Sequence, residues 1–296
     1  MLNLKDLKYL VSIADTGHFG KAAERCFVSQ PTLSTQLKKL EQMLGVQLVE
    51  RQPHHVQLTE IGKQVAERGR RLLAQSDEII ALARANADPL GGKLRVALIP
   101  TIGPYLLPRI TQKIRKALPN LSLMLYEHQT EPLLAHLRNG DIDMGILALP
   151  VPDESLHKHT LYTEEFVLAV PDGHPLAQRS KARIADLDQQ TVLLLEDGHC
   201  MRDQALEICH RVGIHEAEGF RATSLETLRQ MVVAGLGITL LPQLAVAPPF
   251  GAQRGMTTLP FVSPPPKRTV GAIWRKSTTR AAAVEAVCQV IEKVMR

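Results

Sequence analysis

From Thr59 onward the chain carries apolar pairs seven residues apart, Val65-Ala66, Leu72-Leu73 and Ile79-Ile80. A repeat of that period specifies one continuous helix with a single apolar stripe. About 28 residues of helix make a rod on the order of 40 Å long, more than the short segment before it is able to cover. The stripe therefore predicts a second copy of the chain as its partner. It also divides the sequence into an N-terminal module (1–58), a linker and dimerisation helix (59–87) and a large C-terminal region (93–296). Asp88-Pro89-Leu90-Gly91-Gly92 stops the rod and is expected to form a hinge (88–92).

The N-terminal module reads as all α with a small wing. Leu4, Leu7, Leu10, Val11 and Ala14 recur at helical spacing up to Gly17. A second helix is expected over Gly20 to Cys26, with Phe19, Ala22, Ala23 and Cys26 on its apolar face. After the tight turn Phe27-Val28-Ser29, Ser29 reads as an N-cap with Pro31 in the first turn. Leu33, Leu37, Leu40 and Leu44 then line one face of a third helix that stops at Gly45. This is a helix-turn-helix. The opposite face offers Gln30, Pro31, Thr32, Ser34, Thr35, Gln36, Lys38 and Lys39. Amides and hydroxyls at a helix start suit base edges, and charges behind them suit phosphates, whereas a merely solvated face would carry more Glu and Lys. Val49 to Leu58 suggests the wing, with Arg51, His54 and His55 available to the DNA backbone or minor groove. A two-fold dimer would present two such helices to successive major-groove faces, which predicts an inverted-repeat site on double-stranded DNA.

Beyond Lys93 the pattern alternates strand and helix. Leu94 to Ile99, Pro104 to Leu118, Leu121 to Tyr126, Glu131 to Asn139 and Met144 to Leu149 make βαβαβ, hence a parallel sheet. After a crossing segment near Tyr162 to Val170, a second such unit runs through Val192 to Leu195, a helix near Cys200, the Leu225 to Ala234 helix and Ile238 to Leu241. A return strand, Thr269 to Trp274, and a final helix, Ala281 to Met295, close the pattern. Two α/β lobes with two crossings enclose a cleft faced by helix N-termini. Thr101, Thr130 and Thr223 stand at three of those starts, and Thr223-Ser224-Leu225-Glu226 fits a capping box.

Two of the four cysteines, Cys200 and Cys209, bracket a stretch of good helix formers. As helix, that stretch would hold them roughly 13 Å apart, whereas a disulfide requires about 4.4 to 6.8 Å between Cα atoms. Oxidation to a disulfide would then be coupled to unwinding. Cys200 sits where a helix dipole favours negative charge, flanked by His199 and Arg202, which are able to add charge or hydrogen bonds. Two other readings stand beside this one: a small inert core cysteine, or a metal site from His199, Cys200, Cys209 and His210, which lacks the paired short spacings of zinc ligands. Cys26 and Cys288 are expected in cores. Asp203 is open to two readings, positioning His199 or a water, or serving as a favourable first-turn acid.

The chain has 296 residues, 45% of them hydrophobic, and a net charge of +5, compatible with a polyanionic partner but weak alone. It begins without the apolar core of a signal peptide and contains no run of membrane-spanning length, so a cytoplasmic location is expected. Few cysteines in a reducing compartment favour a transient disulfide over a structural one.

Phe19-Gly20-Lys21-Ala22-Ala23-Glu24-Arg25, Ser29-Gln30-Pro31-Thr32-Leu33-Ser34, Leu58-Thr59-Glu60-Ile61-Gly62 and Gly235-Leu236-Gly237-Ile238 resemble LysR-type transcriptional regulators along the whole chain. Glu196-Asp197-Gly198-His199-Cys200, with Arg202-Asp203-Gln204 and Cys209, is similar more narrowly to the hydrogen peroxide-sensing members of that family. The resemblance implies an N-terminal all-α winged helix-turn-helix and a two-lobed α/β regulatory domain of periplasmic-binding-protein type. Lobe I is expected to comprise 93–163 and 268–296, and lobe II 164–267. The resemblance also implies a peroxidatic Cys200 that becomes a sulfenic acid and is resolved by Cys209. Thr101, Thr130, His199 and Arg268 are implied around the peroxide, with Asp203 beside them. Neither a cofactor nor a metal is implied. A homotetramer, a dimer of dimers, would re-register on promoter DNA and recruit RNA polymerase. Two competing functions remain: a LysR-type regulator gated by an organic anion in the cleft, and a thiol peroxidase, against which the DNA-binding module argues.

Overall fold

The computed structural model describes residues 2–52, 55–85, 88–209, 215–217, 219–251 and 253–296, apart from the side chains of residues 51, 52, 55, 78, 81–85, 209, 215 and 216. These fall into two compact units. The N-terminal unit contains α1 (Leu4–Thr16), α2 (Phe19–Arg25), α3 (Gln30–Leu44), β1 (Val49–Gln52), β2 (His55–Leu58) and α4 (Glu60–Ala85). The three short helices bury Leu10, Ile13, Ala22, Leu33, Leu37 and Leu40 in one core, closed by Ala66 from α4. The second helix starts one residue before the expected Gly20, because the His18 ring caps it by accepting from the N–H groups of Gly20 and Lys21. β1 and β2 pair antiparallel as the wing. Thr59 links the wing to α4, donating to the Gln47 carbonyl and accepting from Gly62 N–H. A Cβ at Gly62 would stand 2.0 Å from the Leu48 carbonyl oxygen, so only glycine allows this approach.

Along α4 the three apolar pairs meet different fates. Ala66 is buried, but Leu72, Ile79 and Ile80 are 42%, 70% and 48% exposed. The stripe is thus uncovered over its distal part. Among the described residues no helix is long and apolar enough to cross a membrane.

The C-terminal unit is a two-lobed α/β domain. Its first lobe contains β3 (Gly92–Leu98), α5 (Gly103–Ala117), β4 (Leu121–Glu127), α6 (Thr130–Asn139) and β5 (Met144–Leu149). The long strand β6 (Leu156–Pro171) then crosses to the second lobe. There follow β7 (Thr191–Val192), α7 (Cys200–Cys209), β8 (His215–Glu216), α8 (Leu225–Val233), β9 (Thr239–Pro242), α9 (Gln243–Val246) and β10 (Met256–Pro260). Strand β11 (Lys267–Arg275) returns to the first lobe, ahead of α10 (Ala281–Met295). β3 pairs parallel with both β4 and β5, as the βαβαβ pattern predicts.

The full sheet is mixed rather than parallel. β11 runs antiparallel to β5 and β6, while β9 and β10 both run antiparallel to β6. Among the described residues of the second lobe the expected parallel pairing is confined to β7 with β8 and to single bridges such as Val192 with Ile238. The crossing segment is also longer than the expected Tyr162 to Val170, because one strand serves both lobes. Helix α8 is capped by Ser224, which accepts from Thr227 N–H, so Thr223 and Glu226 do not form the expected capping box. Cys288 is buried in α10 and desolvation pushes its thiol up to about 12, which makes it an inert core residue. Cys26 packs half-buried against the N-terminal core.

Candidate functional site

In the N-terminal unit, the start of α3 is an open polar surface. Ser29 Oγ accepts from Thr32 N–H at 3.3 Å and shares a 2.7 Å hydrogen bond with the Thr32 hydroxyl. That cap fixes the helix so that Leu33, Leu37 and Leu40 face the core, while Gln30, Pro31, Thr32, Thr35, Lys38 and Lys39 are exposed and Ser34 is half-buried. Donors and acceptors at the helix start with cations one turn later form the arrangement that reads a major groove. Arg51 belongs to the wing strand, but its side chain lies outside the described residues, as do His54 and the His55 side chain.

In the C-terminal unit, three strand-to-helix turns converge. β3 leads through Ile99, Pro100 and Thr101 into α5, β4 leads through Gln129 into α6 at Thr130, and the Glu196 to His199 turn leads into α7 at Cys200. Ile99, Pro100, Thr101, Gln129, Thr130, Gly198, His199 and Cys200 line one tight niche. Gly198 shapes it: its φ is +94°, and a Cβ there would lie 2.7 Å from Gln129 Oε1. Beside the niche opens a cleft of about 330 Å³ lined by Tyr105, Glu127, Thr223, Glu226 and Phe250, with Gln129 and His199 common to both. Cys200 lines the niche rather than the cleft, and it is half-buried and not disulfide-bonded.

The polar groups of the niche are tightly arranged. Arg268 enters from β11 with its side chain fully buried and pairs with Glu164 at 2.8 Å. It also donates to the Thr101 hydroxyl at 3.1 Å and to the Thr101 carbonyl at 3.0 Å. Because Thr101 Oγ1 accepts from Arg268, its own proton is free for a ligand. Thr130 Oγ1 is buried with no hydrogen-bond partner among the described residues. Gln129 Nε2 donates to Glu196 Oε1 at 3.1 Å and to His199 Nε2 at 3.2 Å. Burial holds His199 below its ordinary range, opposed by Glu196, by a hydrogen bond to the Thr223 backbone and by Glu127. His199 is therefore a neutral imidazole near pH 7.

The sequence leaves charge or hydrogen bonding open at His199 and Arg202. His199 contributes hydrogen bonding rather than charge. The Arg202 guanidinium is turned away, 3.0 Å from Asp197 and donating to the Leu195 carbonyl, so its charge is already paired. Cys200 itself is the first residue of α7, and the turns that lead into α5 and α6 line the same niche. Asp203 is exposed on α7 and does not line the niche; its position is that of a first-turn acid. The Cys209 side chain and His210 lie outside the described residues, but the backbone at Cys209 ends α7. Among the described residues, no group of three or more His, Cys, Asp or Glu is placed to hold a metal ion.

Thr101, Thr130, His199, Cys200 and Arg268 are thus brought together by the fold. Gln129 and Glu164 were missed. Gln129 could have been suspected as the residue before a helix-start threonine, whereas Glu164 carries no local signal, since its partner is 104 residues away.

Known proteins share this organisation. The family description "Bacterial regulatory helix-turn-helix protein, lysR family" matches residues 4–63, and "LysR substrate binding domain" matches residues 87–296. The DNA-binding transcriptional dual regulator OxyR of Escherichia coli (strain K12) is 43% identical, an alignment covering 99% of this chain and 96% of that protein. A full-length OxyR variant from Pseudomonas aeruginosa superposes with a TM-score of 0.79 at 38% identity, covering 100% of both chains. An OxyR mutant from Corynebacterium glutamicum, solved with H2O2 bound, gives 0.68 at 35% identity, covering 99% of this chain and 92% of that one.

Proposed function

Because the chain belongs to the LysR family of bacterial transcriptional regulators, and within it to the OxyR proteins, we propose that it is a transcriptional regulator switched by hydrogen peroxide at Cys200. The observation that carries the reading is the position of Cys200. It is both the first residue of α7 and a wall of a niche whose Thr130 hydroxyl has no partner among the described residues.

Peroxide enters through the cleft and lies against Thr101, Thr130 and His199. The Cys200 thiolate attacks one oxygen, the oxygen–oxygen bond breaks, and the other oxygen leaves as hydroxide, which takes up a proton to become water. Free hydroxyl protons on Thr101 and Thr130 stabilise the departing charge, and the Arg268–Glu164 pair fixes Thr101. The product is a sulfenic acid. The Cys209 thiolate then attacks the Cys200 sulfur, the sulfur–oxygen bond breaks as the disulfide forms, and the oxygen leaves as hydroxide, which takes up a proton to become water. Since α7 spans both cysteines, nine steps of about 1.5 Å exceed disulfide reach, and the helix has to come apart.

The uncovered part of the α4 stripe supports a dimer, and a pair of dimers would place four recognition helices on inverted-repeat promoter DNA. Unwinding of α7 alters the spacing of those helices and the surface offered to RNA polymerase. The hinge at 88–92 and the lobe division at 163/164 and 267/268 are the joints that this motion uses. A promoter footprint taken with reduced protein and again after stoichiometric peroxide tests the reading. It should lengthen or shift only when Cys200 is present, and an identical footprint in both states would overturn it.

A further inference from the structure

We propose that Phe27 is a specificity-determining residue of the DNA-binding unit, reading a thymine methyl group beside the bases met by the start of α3. This rests on the DNA-binding reading of that helix. Phe27 lies in the turn between α2 and α3, two residues before the Ser29 cap. It is 94% exposed, more than any other large hydrophobic side chain described, the next being Ile79 at 70%. Its backbone is left-handed, with φ of 56°, a region that suits glycine or asparagine and penalises a bulky side chain.

The residue is therefore doubly out of place for the isolated protein. Its ring joins no core, although Cys26 and Val28 on either side both pack against the N-terminal cluster. Its backbone is held by the turn, where Phe27 N–H donates to the Glu24 carbonyl at 3.0 Å and Val28 N–H to the Ala23 carbonyl at 3.0 Å. Among the described residues the other positive-φ residue besides glycine, Gln189, is a polar turn residue of ordinary kind. An exposed aromatic adds no packing to the isolated unit, and backbone strain of this kind clusters where partners are held. That partner is defined by position: Gln30, Pro31 and Thr32, all exposed, begin the helix that enters the major groove. A phenyl ring has no hydrogen-bonding group, and the feature of a groove that it reads by apolar contact is the C5-methyl of thymine.

The test uses full-length reduced protein and the duplex that it enriches from a random-sequence library. Phe27→Asn and Phe27→Gly both suit the left-handed backbone, so each should raise the unfolding midpoint while lowering affinity for the enriched duplex by about tenfold. Replacing one thymine at a time with uracil should identify a position where wild type loses about threefold and Phe27→Asn loses nothing further. The peroxide reaction of Cys200 should be unchanged. Full affinity in both variants, or a loss equal on enriched and unrelated DNA and insensitive to uracil, would overturn the proposal. Enrichment of no duplex by wild type would remove the DNA-binding reading itself, and this inference with it.

Discussion

Replacing Arg268 by methionine should destabilise the C-terminal unit far more than loss of an ordinary arginine. The side chain is 0% exposed and its Glu164 partner 6%. The substitution leaves a buried carboxylate with the Leu244 N–H, 2.9 Å away, as its remaining donor among the described residues. Stranding one member of a buried pair costs about 3 to 5 kcal/mol. For a unit of this size that lowers the unfolding midpoint by about 10 °C. The double variant Arg268→Met/Glu164→Gln removes the stranded charge and keeps an oxygen for Leu244, so more than half of the loss should return. Reactivity should not return, because Thr101 has lost its two guanidinium bonds in both proteins. Thermal unfolding by circular dichroism and stopped-flow peroxide consumption separate the two effects. A single variant within about 1 kcal/mol of wild type, below the usual size of such losses, would refute the reasoning, as would a double variant no more stable than the single.

Gly198→Ala should push Gln129 off His199, because its Cβ would stand 2.7 Å from Gln129 Oε1 at a φ of +94°; slowed peroxide reaction with little change in DNA affinity is the expected result, and unchanged kinetics would contradict it. Leu72→Glu places a charge on the uncovered stripe of α4 and should weaken dimerisation roughly 100-fold, which sedimentation would detect; an unchanged oligomer would move the interface elsewhere. Burial lowers the folded-state value of His199 from 6.5, so the unfolded chain takes up a proton that the folded site refuses. The stability this contributes is complete above about pH 6.5 and is lost as pH falls through the folded value. His128, held low by burial and by His136, acts in the same direction. Wild type should therefore lose its stability advantage over His199→Gln as pH falls below about 6.5, and an advantage that grows on acidification would contradict the assignment.

Periodicity made much of this molecule legible. The stripe of α4, the cap and leucines of α3 and the βαβαβ run of the first lobe are local patterns, and each element lies where its residues place it. The second lobe was less legible because β6 and β11 derive their meaning from pairing across more than 100 residues; Lys267 sits opposite Glu165. The same separation hid the Arg268–Glu164 pair. The choice between charge and hydrogen bonding at Arg202 and His199 stays open in the sequence for a related reason: it shows that basic groups are near Cys200, but not that Asp197 pairs with one and burial lowers the other. Asp203 was ambiguous in sequence, and its exposure on α7 now favours the first-turn role.

Cys200 and Cys209 cannot be joined while α7 persists. Hydrogen exchange across residues 200–209, followed after one equivalent of peroxide and correlated with disulfide formation by mass spectrometry, tests this most directly. Protection of the α7 amides should be lost in step with the bond in wild type and retained in Cys200→Ser. A Cys200–Cys209 disulfide formed with those amides still protected would contradict the account.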